Sequence, residues 1–295
     1  MGSRIQCFIK RFNSKFMNKL IQIVTLPNEK FRGSHLVSCL AELWREQGYR
    51  VTVGPSLRLD ADIGILHVDR TLVPAQCVPD NPKGRPLLNA SILDISKRRI
   101  SSNLLGSDSN YTGQVIVKTN ANSFGRPERA DMTNSIVGRF YHFLGCAVSR
   151  GLKRELLSNN YPILDSLNCV PEWVWQRDDL VVEKFLPEVE GNEFVLRIWI
   201  FFGDQEYGAR LFSRNPIVKV RGMTRYEYID SVPETLRQVR RKLGMDFGKF
   251  DYVMVNGEAV LLDVNKTPTV NKARSPNSNL PRLASGLAGY LERTI

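Results

Sequence analysis

Two apolar runs joined by Asn-Gly at positions 256–257 constrain the fold of this chain more than any other feature. The runs, at 250–255 and 258–264, are rich in β-branched and aliphatic residues, and Asn-Gly between such runs is a strong signal for a β-hairpin. A carboxylate interrupts each run, at Asp251 and at Asp263, and a buried carboxylate needs a partner. The hairpin is therefore predicted to take part in chemistry as well as in packing.

The pairing register of this hairpin decides whether its polar groups meet. Asp263 and Asn265 are two residues apart and project from one face of a strand. A two-residue turn leaves Asp263 on the face opposite to Asp251, because a shift of one residue reverses every side chain. A three-residue turn over 255–257, with its glycine left-handed in a bulge, instead pairs Asp251 with Leu261 and brings the three groups together. We predict that bulge.

Two carboxylates and an amide carbonyl are hard oxygen donors of the kind that Mg²⁺ prefers, and Mg²⁺ takes its remaining ligands from water and nucleotide phosphates. Mn²⁺ is an alternative ion for the same donors. The competing interpretation is structural, with Asp251 capping the start of one strand and Asp263 ending the other beside a turn. On these residues alone, both interpretations stand.

The first third of the chain alternates strand and helix signals. Residues 21–26, 49–53 and 63–68 have the composition of short strands. Between the first two, a helical pattern of apolar residues begins near Ser34 and ends at Gly48. This β-α-β order predicts an open parallel α/β domain with crossover helices.

A domain boundary and three further strands are predicted downstream. Four prolines in the segment 74–86 mark a linker, and we place the boundary near Leu88. Strand signals follow at 114–118, 180–185 and 194–202, and the last two suggest a second sheet.

One later helix has clear sequence signals at both ends. Ser231 is predicted as its N-cap, with Pro233 at an early helical position and Glu234 three residues after the serine, as in a capping box. Gly244 is predicted to end it.

Composition narrows the class of protein. The net charge of +11 favours anionic partners, whether nucleotides, nucleic acid or membrane phosphate. The aromatic residues lie mostly in apolar strands rather than among Lys and Arg, which disfavours nucleic acid. The five cysteines contain no Cys-x-x-Cys pair and the three histidines are far apart, so zinc is not expected. The odd cysteine count suits a reducing interior, and no apolar run approaches the ~20 residues of a membrane span, so we expect a soluble cytoplasmic protein.

The two ends of the hairpin resemble the closing motif of ATP-grasp enzymes. They read Phe-Asp-Tyr at 250–252 and Leu-Asp-Val-Asn-Lys-Thr-Pro at 262–268. In that family an acidic residue precedes a hairpin, and an acid-x-Asn pair closes it. The resemblance implies that Asp251, Asp263 and Asn265 are the Mg²⁺ ligands. The family usually has Glu where this chain has Asp263, whose shorter side chain favours a single metal contact.

The segment Val-Val-Glu-Lys-Phe-Leu, which contains Glu183, is similar to the family's interdomain hinge. The resemblance implies that Glu183 and Leu186 contact adenine and that Lys184 lines the same wall. It assigns the ribose hydroxyls to Glu193, with Glu188 as the second choice. For Glu183 and Lys184, an exposed ion-paired strand end is the alternative.

Two lysines resemble the phosphate-binding lysines of the family. Lys118 ends an apolar strand, and the loop that follows, 119–129, would cover the phosphates with backbone N–H groups. That loop has a single glycine, Gly125, where the family usually has several. Lys97 is similar to the earlier of the two lysines, with a solvated helix lysine as the alternative.

Three further cations lie on or beside predicted strands, namely Arg197, Arg210 and Lys249. By the same resemblance they steady the γ-phosphate and an acyl-phosphate, because charge spreads over the oxygens of a transferring phosphoryl group. The alternative for each is a salt-bridged or surface cation.

These features predict an α/β fold, in which an open parallel N-terminal domain precedes a two-subdomain ATP-grasp fold of α+β type. The predicted divisions are a basic leader at 1–20, the N-terminal domain at 21–88, a small lid subdomain at 89–180 and a C-terminal subdomain at 181–295.

The resemblance implies a ligase that uses ATP and Mg²⁺ to activate a carboxylate as an acyl-phosphate for attack by an amine or a similar nucleophile. Its partners would be ATP and a small carboxylate or a peptide. Two alternatives remain open: a regulatory ATP-binding protein without catalysis, favoured by the few glycines after Lys118, and, more remotely, a basic nucleic-acid-binding protein.

Overall fold

The computed structural model describes residues 18–27, 29, 31–125, 156, 161–270 and 279–292. Across these residues the chain forms three β-sheets and six α-helices. The helices are α1 Leu36–Glu46, α2 Lys97–Ile100, α3 Glu172–Trp175, α4 Glu234–Leu243, α5 Leu280–Ser285 and α6 Ala288–Glu292. None of these helices is long and apolar enough to cross a membrane. Most of the predicted leader at 1–20, and the predicted phosphate loop beyond Gly125, lie outside the described residues.

The first sheet has four parallel strands in the order β2-β1-β3-β4. The strands are β1 Leu20–Val24, β2 Arg50–Gly54, β3 Ile63–Leu66 and β4 Leu87–Leu88. All five residues of β1 are buried, as expected of a parallel strand that is covered on both faces. The helix α1 connects β1 to β2 and is followed by a left-handed Gly48. The predicted β-α-β unit of an open parallel sheet is confirmed.

The second sheet has four antiparallel strands in the order β5-β8-β6-β7. The strands are β5 Leu104–Leu105, β6 Val115–Thr119, β7 Ile163–Leu164 and β8 Leu180–Lys184. Apolar residues of β6 and β8 pack with α3 into a small separate core that includes Val115, Val117, Val174 and Val182.

The third sheet has six antiparallel strands, five of them in the order β12-β11-β10-β13-β14, with β9 paired to β10. The strands are β9 Glu188–Glu190, β10 Glu193–Phe202, β11 Gln205–Ser213, β12 Arg225–Ile229, β13 Phe247–Val255 and β14 Glu258–Asn265. The strands predicted at 180–185 and 194–202 therefore form, but they belong to two different sheets. The turn between β8 and β9 carries the chain from one sheet to the other.

One core joins the N-terminal sheet to the third sheet. Trp44 of α1 is fully buried, and its ring centroid lies 5.3 Å from that of Phe202 on β10. Its indole N–H donates to the carbonyl of Ala284 on α5 at 2.9 Å. Because a buried indole N–H needs an acceptor, this contact specifies how α1 and α5 pack on the third sheet.

The helix α4 begins later than the sequence signals indicated. Pro233 is the residue before its first turn, and no side chain caps it. Glu234 is the first helical residue, and its carboxylate accepts from Arg241 at 2.6 Å rather than from a backbone amide. The predicted capping box with Ser231 is wrong, because Ser231 lies too far before the first turn. The predicted stop is confirmed by Gly244, which is left-handed with φ 63°.

Candidate active site

The hairpin β13–β14 closes with a two-residue turn. Asn256 and Gly257 both have positive φ, at 51° and 84°, as in the type I′ turn that Asn-Gly favours. Val255 pairs with Glu258 on either side of this turn. The predicted three-residue turn with a bulge at its glycine is therefore wrong.

A bulge is present further along the hairpin and has the effect that the prediction required. Tyr252 pairs with Leu261, but the next pair is Asp251 with Asp263, so Leu262 is an extra residue on β14. The predicted pairing of Asp251 with Leu261 does not form. Because the extra residue shifts the register by one, both carboxylates lie on the same face of the sheet.

Asp251 and Asp263 line an open cleft of about 920 Å³, a volume that includes the open solvent at its mouth. The second sheet contributes Lys118 and Lys184 to the cleft, and Lys97 at the start of α2 also lines it. The cleft thus brings together residues whose predicted roles were binding of metal, phosphates and base.

Each carboxylate has a lysine partner. Lys97 Nζ lies 3.3 Å from Asp263 Oδ1 and 3.1 Å from Asn122 Oδ1, and the lysine is buried. Lys249 Nζ lies 2.9 Å from Asp251 Oδ1. Lys249 is two residues before Asp251 on β13 and therefore shares its face.

The charges in this cluster affect one another. Burial, and then the negative charge of Asp263, raise the pKa of Asp251, and the ammonium of Lys249 only partly offsets them. Burial by itself lowers the pKa of Lys97 and of Lys249, but the neighbouring carboxylates outweigh it, so both pKa values are raised. Both lysines are therefore cationic at neutral pH.

Lys118 and Glu183 form a second buried ion pair, with Lys118 Nζ 2.6 Å from Glu183 Oε2. They lie on the paired strands β6 and β8, where Lys118 is opposite Val181. Glu183 is 2% exposed, and its second oxygen, Oε1, has no hydrogen-bond partner among the described residues. A lysine ammonium has three donors, so Lys118 can hold Glu183 and also bind an anion in the cleft.

The predicted hinge forms the other end of the cleft. Lys184 and Leu186 line it, and the Lys184 ammonium lies 5.4 Å above the ring of Tyr111. The backbone N–H of Lys184 donates to the carbonyl of Asn103, the residue before β5, at 3.0 Å. Glu183 lies behind Lys118 rather than among the lining residues.

The structure does not bring Arg197 or Arg210 to the cleft. Arg197 precedes the residue that pairs with Asp251, so its side chain projects from the opposite face of the sheet. There it donates to Glu188 at 2.6 and 2.9 Å. Arg210 pairs with Arg197 in register on the same face, and its guanidinium lies 2.6 Å from Glu190.

Glu193, the first choice for binding ribose, is also outside the cleft. Its carboxylate accepts from the Thr224 hydroxyl and lies 3.1 Å from Arg225. Glu188, the second choice, does line the cleft. Its Oε2 also accepts from the Met254 N–H at 2.7 Å, so the side chain is held in place.

Asn265 shares a face with Asp263 but is not among the lining residues. Its amide oxygen accepts from the Thr267 N–H at 2.8 Å, and the Thr267 hydroxyl donates to Asp69 at 2.8 Å. In the part of the chain that the structure describes, no group of three or more His, Cys, Asp and Glu residues can hold a metal ion. A metal ion at this site would have two carboxylates, those of Asp251 and Asp263, with Asn265 two residues beyond Asp263 on the same strand.

The sequence motifs missed two contributors to the cleft, Tyr161 and Lys219. Tyr161 lies in the second sheet's part of the cleft, and the Lys219 ammonium lies 5.6 Å above the ring of Phe124. Neither has a local sequence signal, because both come to the cleft only through the packing of distant segments.

The sequence matches no protein-family profile and no curated protein. Solved structures are similar to it in fold. An ATP-grasp RimK-domain protein from Sphaerobacter thermophilus DSM 20745 has a TM-score of 0.50 and 11% identity, over 92% of this chain and 99% of that one. The macrocyclase MdnC from Microcystis aeruginosa MRC, bound with precursor peptide MdnA, has a TM-score of 0.53 and 11% identity, over 93% and 99%.

A third similar structure is the ATP-grasp ligase PsnB, complexed with a phosphomimetic variant of a minimal precursor, Mg and ADP. Its TM-score is 0.55 and its identity is 12%, over 93% of this chain and 99% of that one. The chain therefore has the ATP-grasp fold, and the predicted α/β fold class is confirmed.

Proposed function

We propose that this chain uses its ATP-grasp fold as an ATP- and Mg²⁺-dependent ligase, which activates a carboxylate as an acyl-phosphate for attack by an amine or a similar nucleophile. One observation carries the proposal. Asp251 and Asp263 lie side by side in the same cleft as the buried ammonium groups of Lys97 and Lys118. Carboxylates beside ammonium groups suit a magnesium–polyphosphate complex.

The two carboxylates fit a hard divalent cation. Their donors are oxygens, they face one cleft, and the charge of Asp263 adds to burial in raising the pKa of Asp251, against the opposing charge of Lys249. Asp251 and Asp263 would hold Mg²⁺, and the ion would supply positive charge that offsets the negative charge of phosphate oxygens. The Asn265 amide oxygen accepts from the Thr267 N–H, and its second lone pair would be the one to serve such an ion.

Three lysines of the chain have separate roles in this proposal. Lys118, held by Glu183, offers its other N–H groups to phosphate oxygens, and Lys97 does the same while it stays near Asp263. Lys249 stays paired with Asp251 and compensates its charge. Arg197 and Arg210 have no part in this proposal, because their charges are used by glutamates on the other face of the sheet.

The hinge end of the cleft suits a purine ring. The apolar residues that line this end are Phe185, Leu186, Pro187, Val195 and Leu196. An apolar slot of this kind would accept a flat base and leave the triphosphate directed toward the lysines. Glu188 lines the cleft, but its carboxylate is bound by Arg197 and by the Met254 N–H, so we assign the ribose hydroxyls to neither Glu193 nor Glu188.

Thermal unfolding with ATP, with and without Mg²⁺, tests the nucleotide site. We expect a rise in Tm that is largest with both ligands, because binding to the folded state alone stabilises it. Asp263→Asn keeps the size of the side chain but removes its charge, and should lose the Mg²⁺-dependent part. Glu258→Gln is the matched control, since Glu258 is exposed on the same strand. A wild-type protein whose Tm responds to no nucleotide contradicts the proposal.

The chemical step needs a separate assay. One of the similar structures holds a precursor peptide and another holds a variant of a minimal precursor, so the candidate substrates include carboxyl-bearing peptides as well as amino acids. We expect ADP to form when the right carboxylate is present, and hydroxylamine to trap the acyl-phosphate as a hydroxamate. If nucleotide binds but neither ADP nor a hydroxamate forms with any of the peptides and amino acids tested, the protein is instead a regulatory ATP-binding protein.

A further inference from the structure

Tyr161 lies at the phosphate end of the candidate site. It lines the cleft together with Lys97, Lys118 and Asp263, and not at the hinge end where a base would bind. None of the motifs discussed above includes it. Its hydroxyl is therefore an uncharged donor among the charged groups of this end of the cleft.

The register of the second sheet sets this position. β7 pairs antiparallel with β6, and just before β7 the Val117 N–H donates to the Pro162 carbonyl at 3.0 Å. Continued by one residue, the same register places Tyr161 beside Lys118 on the neighbouring strand. Residues opposite each other in antiparallel strands share a face, so the phenol and the ammonium point into the same cleft.

The hydrogen bonds around the phenol fix the direction of its proton. The Thr119 hydroxyl donates to the Ala121 carbonyl at 2.8 Å. A threonine hydroxyl has one proton, so its 3.2 Å contact with the Tyr161 hydroxyl must be donated by the tyrosine. In the described structure the Tyr161 hydroxyl therefore donates only a weak, rather long hydrogen bond to Thr119. A better acceptor in the cleft can take the place of the Thr119 oxygen.

The ring of Tyr161 is held in place and stays neutral. It stacks on Phe124, with centroids 4.3 Å apart and planes 21° apart. Burial raises the pKa of Tyr161, and the nearby charge of Lys97 offsets this only in part. The phenol therefore keeps its proton at neutral pH and can donate to an anion.

From this arrangement we propose that Tyr161 is a specificity-determining residue of the nucleotide site, which donates a hydrogen bond to a phosphoryl oxygen beyond the α-phosphate. When the ligand binds, the Tyr161 O–H donates to a phosphoryl oxygen instead of to the Thr119 hydroxyl, while the Lys118 ammonium attracts the same phosphate chain. Phe124 acts as a positioning residue that fixes the direction of the phenol. This inference rests on the proposed nucleotide site and adds a group that favours di- and triphosphates over monophosphate.

Binding of AMP, ADP and ATP with Mg²⁺ by calorimetry tests the inference. Tyr161→Phe keeps the ring and its stacking but removes the hydroxyl. We expect ADP and ATP to bind about tenfold more weakly or worse, since a hydrogen bond to a charged acceptor contributes that much, while AMP changes less than about twofold. Tyr228→Phe is the matched control, because Tyr228 is 50% exposed on an edge strand outside the cleft.

Each other result has a distinct meaning. Unchanged ADP and ATP affinity in Tyr161→Phe overturns the inference, as does an equal loss for AMP, which would indicate a structural role. Phe124→Leu should weaken ATP binding in the wild-type background and add little in Tyr161→Phe, and additive losses would contradict the positioning role. If the wild-type protein binds none of the three nucleotides, the proposed function itself has failed before any variant is compared.

Discussion

Asp251 lies opposite Asp263 across the β13–β14 hairpin, and the two share a face because Leu262 is an extra residue in the strand between the turn and Asp263. The two-residue turn alone would have paired Asp251 with Leu262. Burial, with a smaller contribution from the charge of Asp263, then raises the pKa of Asp251, although Lys249 opposes the shift. A carboxyl group must lose its proton before it binds a divalent cation.

Metal binding is therefore expected to depend on pH. As the pH falls toward and below the raised pKa of Asp251, protons compete with Mg²⁺, and its affinity should fall by up to about tenfold per pH unit below that pKa. The Mg²⁺-dependent part of the Tm rise, measured at equal concentrations of the Mg–ATP complex across a pH series, tests this. A metal-dependent stabilisation that is constant across the acid range would contradict the assignment of Asp251.

His67 is expected to make the folded protein less stable in acid. It is 1% exposed, its Nε2 lies 3.0 Å from His35 Nδ1, and burial, followed by the charges of His35 and Lys266, lowers its pKa from 6.5 to about 3. Between these pH values the unfolded chain binds a proton that the folded protein excludes. The contribution of His67 to the free energy of unfolding is therefore largest above pH 6.5. Below that pH it falls, by up to about 1.4 kcal/mol per pH unit, until the pH reaches about 3.

Urea unfolding of the wild type and His67→Leu across this range measures the effect. The variant should show a shallower dependence on pH, whatever its stability at neutral pH, because it has no imidazole at this position. Some slope should remain, because burial also lowers the pKa of His35. Parallel curves for the two proteins would show that His67 binds its proton equally in both states.

Lys118→Met is expected to destabilise the protein by about 3–5 kcal/mol, because it leaves the carboxylate of Glu183 buried without its cation. The double variant Lys118→Met/Glu183→Gln should recover part of that loss, since a neutral amide costs less to bury. Urea unfolding of the single and double variants gives both values. Equal stabilities for the single and double variants would mean that the unpaired charge of Glu183 is not the cause of the loss in Lys118→Met.

Arg210→Gln is expected to leave Mg–ATP affinity within about twofold of the wild type. Its guanidinium contacts Glu190 and Glu227 on the face of the sheet away from the cleft. Its removal should cost roughly 1 kcal/mol of stability or less, as for other partly exposed ion pairs. Calorimetric titration checks this, with Lys118→Met as the comparison that should lose affinity. A large loss of ATP affinity in Arg210→Gln would instead support the phosphate-binding role that the family resemblance implied for Arg210.

Local signals predicted much of the fold. The β-α-β order before Leu88, the existence of the hairpin around Asn256 and Gly257 and the stop at Gly244 each depend on residues that are neighbours in sequence. Such signals act through backbone preference and hydrophobic periodicity, which the sequence states directly. The strand signal at 114–118 placed Lys118 on an element that borders the cleft, whereas Lys97 was indicated only by the family resemblance.

Register and the choice of sheet face were decided only by the tertiary structure. Side chains alternate along a strand, so one extra residue reverses which groups meet. The bulge at Leu262 put Asp263 beside Asp251, whereas alternation turned Arg197 away from both. Tyr161 reached Lys118 through pairing of strands that are distant in sequence. The sequence by itself determined which elements form and which groups are available, and long-range pairing decided which of those groups share the cleft.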